Sequence, residues 1–479
     1  MKNQQLRTNN YKMRSPHPDQ GKKSINQADL THNEHKSSNQ VLVKLLAEFV
    51  PKSQTIREVF IESSALKNLP EKLMHHFGQS KVMLIADENT WSAGGLAAQS
   101  ELQKAGYEVE KHLFPANPQP RPTVETAQKL SDKLRSYNLI PVVVGTGVLN
   151  DLVKFAAFKA GRSYCCVPTA ASMDGYASAG SVLSDQGFKI THNCAPPKLI
   201  LIDLDILGAA PSEMSGWGYG DLAGKVPAGG DWIIADAIGL ENIDTIAWPL
   251  VQGNLRMCLE NPGGIRRGEP ESLQSLVIGL LLTGLAMEFF GSSRPASGAD
   301  HQIAHIWEME HHQFNGQMVS HGACVSIGCL STMALYDWLL QQPLEQFAYN
   351  KSTYKTMEDK EAEIQCLFRE PEITRRALVE TKKKHLESGQ IEERIDQIKN
   401  VWPKLRNSLQ NHLLPTTKLK YLLEAANAPI RAHQIGISEE HLKRTIRAAR
   451  FIRSRYTILD LLDQTGLLDK ALSEAQLPL

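Results

Sequence analysis

His301 and His305, in Ser297-Gly-Ala-Asp-His-Gln-Ile-Ala-His305, stand four residues apart, and His321-Gly322 follows sixteen residues later. Residues at that spacing share one face of a helix, and a third imidazole before a glycine can fold back to the same point. Neutral imidazole is the commonest ligand for zinc and its neighbours, so the pattern points to a metal centre built mostly of histidine. The pair looks like the two ligands of an HExxH helix but lacks the glutamate at the second position. His311 and His312 are further candidates, His312 lying seven residues after His305, although ordinary hydrogen bonding suits isolated imidazoles equally. Upstream, Gly216-Trp-Gly-Tyr-Gly-Asp-Leu-Ala-Gly-Lys225 sets Asp221 at a helix start. There it is either a cap or a hard oxygen ligand beside the histidines.

A second chemistry is written earlier in the chain. Val142-Val-Val-Gly-Thr-Gly-Val-Leu-Asn-Asp-Leu-Val-Lys154 reads as a strand, a Gly-Thr-Gly turn and a helix. Glycines let backbone approach a pyrophosphate, and a helix N-terminus offers free N–H groups. The full GxGxxG fingerprint is missing, so a plain tight turn stays open beside cofactor binding. Asp87, just after Lys81–Ala86, is placed either to hydrogen-bond ribose hydroxyls or to cap a helix. Cys165–Ser178 is again a strand followed by a loop of small polar residues, with Thr169, Ser172, Asp174 and Ser178 where α/β folds put ligands. Ser and Asp also serve ordinary turns.

These groups need a scaffold. From Val41 to Leu207, β-rich runs (59–61, 81–86, 107–109, 140–144, 164–167, 199–202) alternate with helical spacing at 91–105, 123–137 and 149–160. That alternation implies a mostly parallel sheet with right-handed crossovers. After Pro211 long helical stretches dominate. The expected fold is α/β: a Rossmann-like parallel-sheet domain over 41–210, then an all-helical domain over 211–479, after a disordered polar tail over 1–40. At 479 residues the chain is too long for one ordinary core. Lys+Arg and Asp+Glu are both 52, so no global field favours nucleic acid or an anionic membrane. The tail lacks the apolar run of a signal peptide. The longest apolar run, Leu276–Met287, is shorter than the roughly 20 residues a bilayer needs and reads as a buried core helix, so no membrane insertion is expected. Seven scattered cysteines without a CxxC pair read as reduced thiols of a cytoplasmic protein.

Taken together and in order, Gly145–Asp151, Thr169–Ser178, Gly218–Lys225, Asp231-Trp232 and Ser293–His301 through His321-Gly322 resemble the sn-glycerol-1-phosphate dehydrogenases. The resemblance is to their bacterial, AraM-type branch, within the iron-containing alcohol dehydrogenase and dehydroquinate synthase-like superfamily. It runs from about Phe60 to Leu335 and returns over Arg444–Leu468, at Ile452-Arg-Ser-Arg-Tyr-Thr-Ile-Leu459. It implies Asp221, His301 and His321 as ligands of one divalent metal, zinc or nickel, with His305 facing the substrate instead. It places Gly145, Thr146, Gly147, Val148, Leu149, Thr169, Ala170, Ala171, Ser172 and Ser178 around NAD(H) or NADP(H). Asp87 would sit at the adenosine ribose, which leans towards NAD, and Asp174, Asp221 and His305 at the substrate, with Asp174 and His305 in catalysis. Some superfamily members carry a fourth ligand, a His, where this chain has Lys225, which implies three protein ligands and an open position. Asp300 stands where Glu is usual.

The implied reaction is reversible reduction of dihydroxyacetone phosphate, a small phosphorylated substrate, to sn-glycerol 1-phosphate by a cytoplasmic homo-oligomer, a dimer or larger. Lys189, Lys225 and Arg294 are the candidate phosphate partners. A glycerol or polyol dehydrogenase, a dehydroquinate synthase-like cyclase and a non-catalytic metal or nucleotide binder are the alternatives. The charged helical region 347–410 receives no role.

Overall fold

The computed structural model describes residues 27–479, apart from 137, 186 and 187. The chain begins with α1 (Gln27–Phe49) and β1 (Glu58–Glu62), then α2 (Leu69–Phe77) and β2 (Lys81–Asp87). Next come α3 (Leu96–Lys104), β3 (Val109–Phe114), α4 (Val124–Ser136), β4 (Leu139–Gly145), α5 (Gly147–Lys159) and β5 (Cys165–Pro168). A hairpin of β6 (Gly180–Asp185) and β7 (Phe188–Asn193) precedes β8 (Leu199–Asp203).

Six strands form one parallel sheet in the order β1-β8-β5-β4-β2-β3. Alternate residues of its central strands feed two cores. Met83, Ile85, Val143, Cys166 and Ile200 face one side, and Val82, Leu84, Val142, Val144 and Leu199 the other. A sheet buried on both faces needs the near-continuous apolar runs seen in the sequence. From β2 the chain departs towards β3 and from β4 towards β5, so these neighbouring strands send their connections opposite ways. The crevice at such a switch point, at the strands' carboxyl ends, is where open α/β sheets bind ligands.

Beyond residue 211 the long elements are helices: α6 (Ser212–Ala223), α7 (Lys225–Ala237), α8 (Pro270–Phe290), α9 (Ala299–Met309) and α10 (His321–Leu339). They continue as α11 (Met357–Leu367), α12 (Pro371–Lys384), α13 (Ser388–His412), α14 (Thr416–Ala425), α15 (Glu439–Ala449) and α16 (Ile458–Gln464). The core on one sheet face runs without a break into this helical half, through Leu276, Trp307 and Leu335.

Two expectations are corrected, one hairpin was not anticipated, and the expected core helix is longer than its apolar run. The polar tail does not extend to residue 40, because α1 starts at Gln27; Leu42 and Leu46 are buried and Asn39 Nδ2 donates to Glu271 O at 2.8 Å, so the helix is pinned on α8. The rest of that tail, 1–26, lies outside the described residues. The strand expected at 107–109 is β3, from Val109; Gly106 turns the chain at φ +82° and Tyr107 N–H closes α3 by donating to Leu102 O. The β6–β7 hairpin had no expected counterpart, since its buried positions alternate through Ser181 and Leu183 rather than forming an apolar run. Leu276–Met287 is the centre of a helix of 21 residues, long and apolar enough to cross a membrane by length and composition, as is α10; 67% and 94% of their apolar windows are packed inside the protein, which makes both core helices.

Candidate metal centre and cofactor cleft

Three helices cross at one point, and glycine makes the crossing possible. A Cβ at Gly322 would lie 2.0 Å from Trp217 O, and one at Gly328 2.2 Å from Asp300 O. Backbone therefore packs on backbone where α10 meets α6 and α9. In consequence Asp221, His301 and His321 bring ligand atoms within 4.8 Å of one another. Asp221 is in the last turn of α6, not at a helix start as its glycine-rich approach implied. His301 is in the first turn of α9, and His321 opens α10 behind the Ser320 cap.

Each imidazole is held by a carboxylate. Asp300 Oδ2 binds His301 Nδ1, leaving Nε2 3.3 Å from Asp221 Oδ1. Glu308 Oε1 takes His321 Nδ1 at 2.7 Å. A carboxylate on the remote ring nitrogen fixes the tautomer and turns the other nitrogen's lone pair to an ion. Asp300, shorter than the usual Glu, thus still reaches its histidine. Burial works against a charged His301, but Asp300 outweighs it and the imidazole rises to about 9. Burial also opposes ionised Asp221, yet Lys225 and the imidazoles hold its carboxyl far below the usual range. His305 lies on the next turn of α9, its ring 5.8 Å from that of His321 and stacked on it. Burial keeps this imidazole well below its usual range, so it is neutral.

Lys225 borders the place an ion would take. Its buried Nζ lies 2.6 Å from Asp221 Oδ1, 2.8 Å from Asp174 Oδ2 and 3.4 Å from His301 Nε2. The position expected to be open is therefore flanked by an ammonium group.

The same histidines face a cleft of about 2850 Å³ that runs to the sheet's switch point. That is several times an ordinary small-ligand pocket of roughly 300–1,000 Å³, so a dinucleotide and a substrate fit side by side. Asp87, Thr146, Gly147, Val148, Thr169, Ser172, Asp174 and Ser178 line it, with His301, His305 and His321 at the helical end. Gly145, Leu149, Ala170 and Ala171 stand buried behind that lining. A Cβ on Gly145 would sit 2.5 Å from Leu149 Cδ1, so this glycine serves the close packing of α5 on β4. Thr146 precedes α5 without a side-chain cap, which leaves first-turn N–H groups available to an anion. Asp87 Oδ1 accepts from Thr90 N–H at 2.7 Å as a helix cap, while the residue still borders the cleft. His312 Nε2 bonds Ile435 O, away from the histidine cluster; α9 ends at Met309, so the shared face with His305 does not form.

Of the expected phosphate partners, Lys225 is spent on two carboxylates. Arg294 is fully buried behind the cleft, donating to Tyr456 O and Asp231 O and paired with Glu241. The Lys189 side chain lies outside the described residues. Two buried groups stood within quoted motifs but received no role from the sequence. Lys154 Nζ donates to Gly175 O, Ser178 O and Gly180 O at 2.7–2.9 Å, fixing the cofactor-facing loop from beneath. Asp231 accepts from Ala299 N–H, Tyr336 Oη–H and Ile458 N–H, anchoring the start of α9, and burial pushes its carboxyl up to about 6. Buried lysines and aspartates carry no mark in a single sequence that separates them from exposed ones.

Comparison with known proteins gives a consistent picture. The iron-containing alcohol dehydrogenase family model matches residues 60–211. Glycerol-1-phosphate dehydrogenase [NAD(P)+] of Halalkalibacterium halodurans is 30% identical over 299 residues, 60% of this chain and 73% of that protein. The protein of the same name from Bacillus licheniformis is 27% identical over 417 residues, 86% of this chain and 90% of its own. Among solved structures, an iron-containing alcohol dehydrogenase of Corynebacterium glutamicum aligns with TM-score 0.57 and 15% identity, covering 87% of this chain and 95% of that one. Glycerol dehydrogenase of Schizosaccharomyces pombe aligns with TM-score 0.55 and 17% identity over 88% and 91%. At such identities these two structures speak for the fold.

Proposed function

This chain belongs to the glycerol-1-phosphate dehydrogenase family of the iron-containing alcohol dehydrogenases, and from that premise we propose that it interconverts dihydroxyacetone phosphate and sn-glycerol 1-phosphate with a nicotinamide cofactor. The carrying observation is that Asp221, His301 and His321 converge at the helical end of the cleft whose other end is the Gly-Thr-Gly turn. Two imidazoles, each braced on Nδ1, and one carboxylate make a donor set suited to zinc, with nickel as the alternative. When bound, the cation supplies Lewis-acid polarisation of a ketone oxygen and the dinucleotide supplies the hydride.

The chain's own residues do the rest. The uncapped N-terminus of α5 would hold the pyrophosphate, and Asp87, with one carboxylate oxygen engaged by Thr90, would use the other for the ribose hydroxyls, which favours NAD over NADP. Thr169, Ser172 and Ser178 line the nicotinamide side, on a loop stiffened by Lys154. Asp174 orients the substrate hydroxyl and is itself aligned by Lys225. His305, neutral and with its ring within about 6 Å of both ligand imidazoles, takes the alcohol proton on its ring nitrogen in the oxidative direction and returns it in reduction. A cytosolic setting agrees with cysteines that are unpaired among the described residues.

The test follows NADH absorbance with dihydroxyacetone phosphate, dihydroxyacetone and glycerol, with and without a chelator. Chelator-sensitive turnover that prefers the phosphorylated ketone is expected. Preference for the unphosphorylated compounds would make it a polyol dehydrogenase.

A further inference from the structure

With Lys225 and Arg294 engaged elsewhere, the cleft still needs a cation to meet a phosphorylated substrate. Among the described residues, Lys52, Arg121, Arg375, Arg376 and Arg453 line it. Lys52 is paired with Glu48, and Arg375 and Arg376 share Glu372. Arg121 stands on the segment after β3, whose Ala116 N–H donates to Glu88 beside Asp87, so it belongs to the dinucleotide end. Among the described residues, Arg453 alone remains at the histidine end without a hydrogen bond or ion pair of its own.

Its position is built rather than incidental. Residues 450–457 link α15 to α16, and the neighbours of Arg453 clamp this link on both sides. Ser454 N–H donates to Glu380 on α12 at 2.8 Å. Arg455 donates to Ser297 O at 2.6 Å and to Ser293 Oγ at 3.1 Å, on the turn that leads into α9 and its two histidines. The other arginines of this stretch are spent: Arg450 on Glu363 and Asp463, Arg455 on that turn. Arg453 is thus held between α12 and the metal-site helix with its guanidinium facing the cleft. Its charge reaches His305, where it disfavours the imidazolium. Packing around it and nearby Arg376 work against its own charge, with Glu380 opposing them. An exposed guanidinium on the cleft wall that makes no hydrogen bond or ion pair among the described residues is a receptor for an oxyanion, and its planar fork suits a phosphate bidentately.

We infer that Arg453 is the substrate-phosphate receptor of this cleft and the residue that separates phosphorylated from unphosphorylated ketones. It also gives a role to α12, part of the segment that sequence left unassigned: Ile373, Ala377 and Glu380 wall the pocket around Arg453. The inference rests on the reaction proposed above, and the test separates the two.

The experiment compares wild type with Arg453→Met and Arg453→Gln, both in the metal- and NADH-loaded protein, after thermal melting confirms folding. KM for dihydroxyacetone phosphate is expected to rise by roughly 10–100-fold, the range for a lost charge-assisted contact. kcat/KM for dihydroxyacetone should stay within about twofold, the level set by a contact that ketone does not make. Binding of inorganic phosphate, followed by calorimetry, should weaken by the same factor as the phosphorylated ketone. Equal losses for both ketones, or unchanged phosphate binding in either folded variant, would overturn the assignment. If wild type reduces only unphosphorylated ketones, the proposed reaction falls. The calorimetry still judges Arg453: phosphate held by wild type and lost by the variants supports it, and no phosphate binding by wild type refutes it.

Discussion

Asp174 and Asp221 are joined twice, although one lies on the loop after β5 and the other on α6. The backbone N–H of Asp174 donates to Asp221 Oδ2 at 2.9 Å, and both carboxylates hold the same ammonium, Lys225 Nζ. The loop beside the dinucleotide and the helix beside the metal are therefore one electrostatic unit. Lys225→Met leaves two buried carboxylates facing each other, and breaking a buried pair costs about 3–5 kcal/mol. A divalent cation at Asp221 would offset much of that loss. The metal-free variant should therefore melt well below metal-free wild type, while zinc raises its melting temperature more than it raises that of wild type. Equal zinc shifts in the two proteins would show that Lys225 does not neutralise the metal site.

Metal affinity should depend on pH in a defined direction. The imidazole of His301 sits at about 9 in the metal-free protein because Asp300 overcomes its burial. An ion must displace that proton from Nε2. Below pH 9 each unit of rising pH should tighten zinc binding by about tenfold, levelling off above it. Zinc titration against a competing chelator at pH 6, 7 and 8 measures this slope; a flat profile across that range would mean His301 is already neutral. Asp300→Asn should flatten the profile, since the group that raises His301 is gone.

How much of this site could be read from sequence follows from what side-chain patterns record. Apolar runs recorded the four central parallel strands, because strands buried on both faces tolerate little else, whereas the half-exposed edge strand β3 was placed too early in the chain. The His301–His305 spacing recorded a helix face, and the Gly-Thr-Gly turn a strand–helix junction. Asp221 was misplaced on its helix because glycines in Gly216–Gly220 read as a loop approach, whereas Gly218 is there so that α6 can meet the backbone of Ala171, only 1.8 Å from where its Cβ would be. Lys225 and Arg294 read as phosphate partners, and Lys154 only as the end of a helix motif, until their partners from distant segments appeared. The charged helical region 347–410 received no role, and only the tertiary packing turns Arg376 and Glu380 of α12 towards the cleft.

His321 is shared by two donor sets, since His305, Glu308 and His321 also lie within 4.8 Å of one another. The two arrangements make opposite predictions for Glu308. If Glu308 only orients His321 through Nδ1, Glu308→Gln keeps an acceptor there and should weaken zinc by about 10–100-fold, as losing such a partner does. Asp221→Asn should then be far worse. Competitive zinc titration of both variants decides; a Glu308→Gln loss matching that of Asp221→Asn would move the ion to the second set.

The helix crossing itself can be tested at Gly322. Its added Cβ would meet Trp217 O at 2.0 Å and Trp217 C at 2.5 Å, both backbone atoms that cannot swing aside. In Gly322→Ala, α10 must retreat from α6, and it takes His321, the adjacent residue, away from Asp221. Overpacking of this kind costs about 1–3 kcal/mol, and the upper end applies where backbone is the obstacle. A ligand set must be held within roughly 0.5 Å, so zinc affinity should fall along with stability even though no ligand has changed. Gly389→Ala is the control, because nothing lies within 4 Å of its added Cβ. There, in the first turn of α13, alanine should leave zinc binding unchanged and raise stability by at most about 0.5–1 kcal/mol, the gain of a helix-interior site. Urea unfolding and zinc titration of the pair read both effects; a Gly322→Ala protein of normal zinc affinity would show that the close approach of α6 and α10 does not set the geometry of the metal centre.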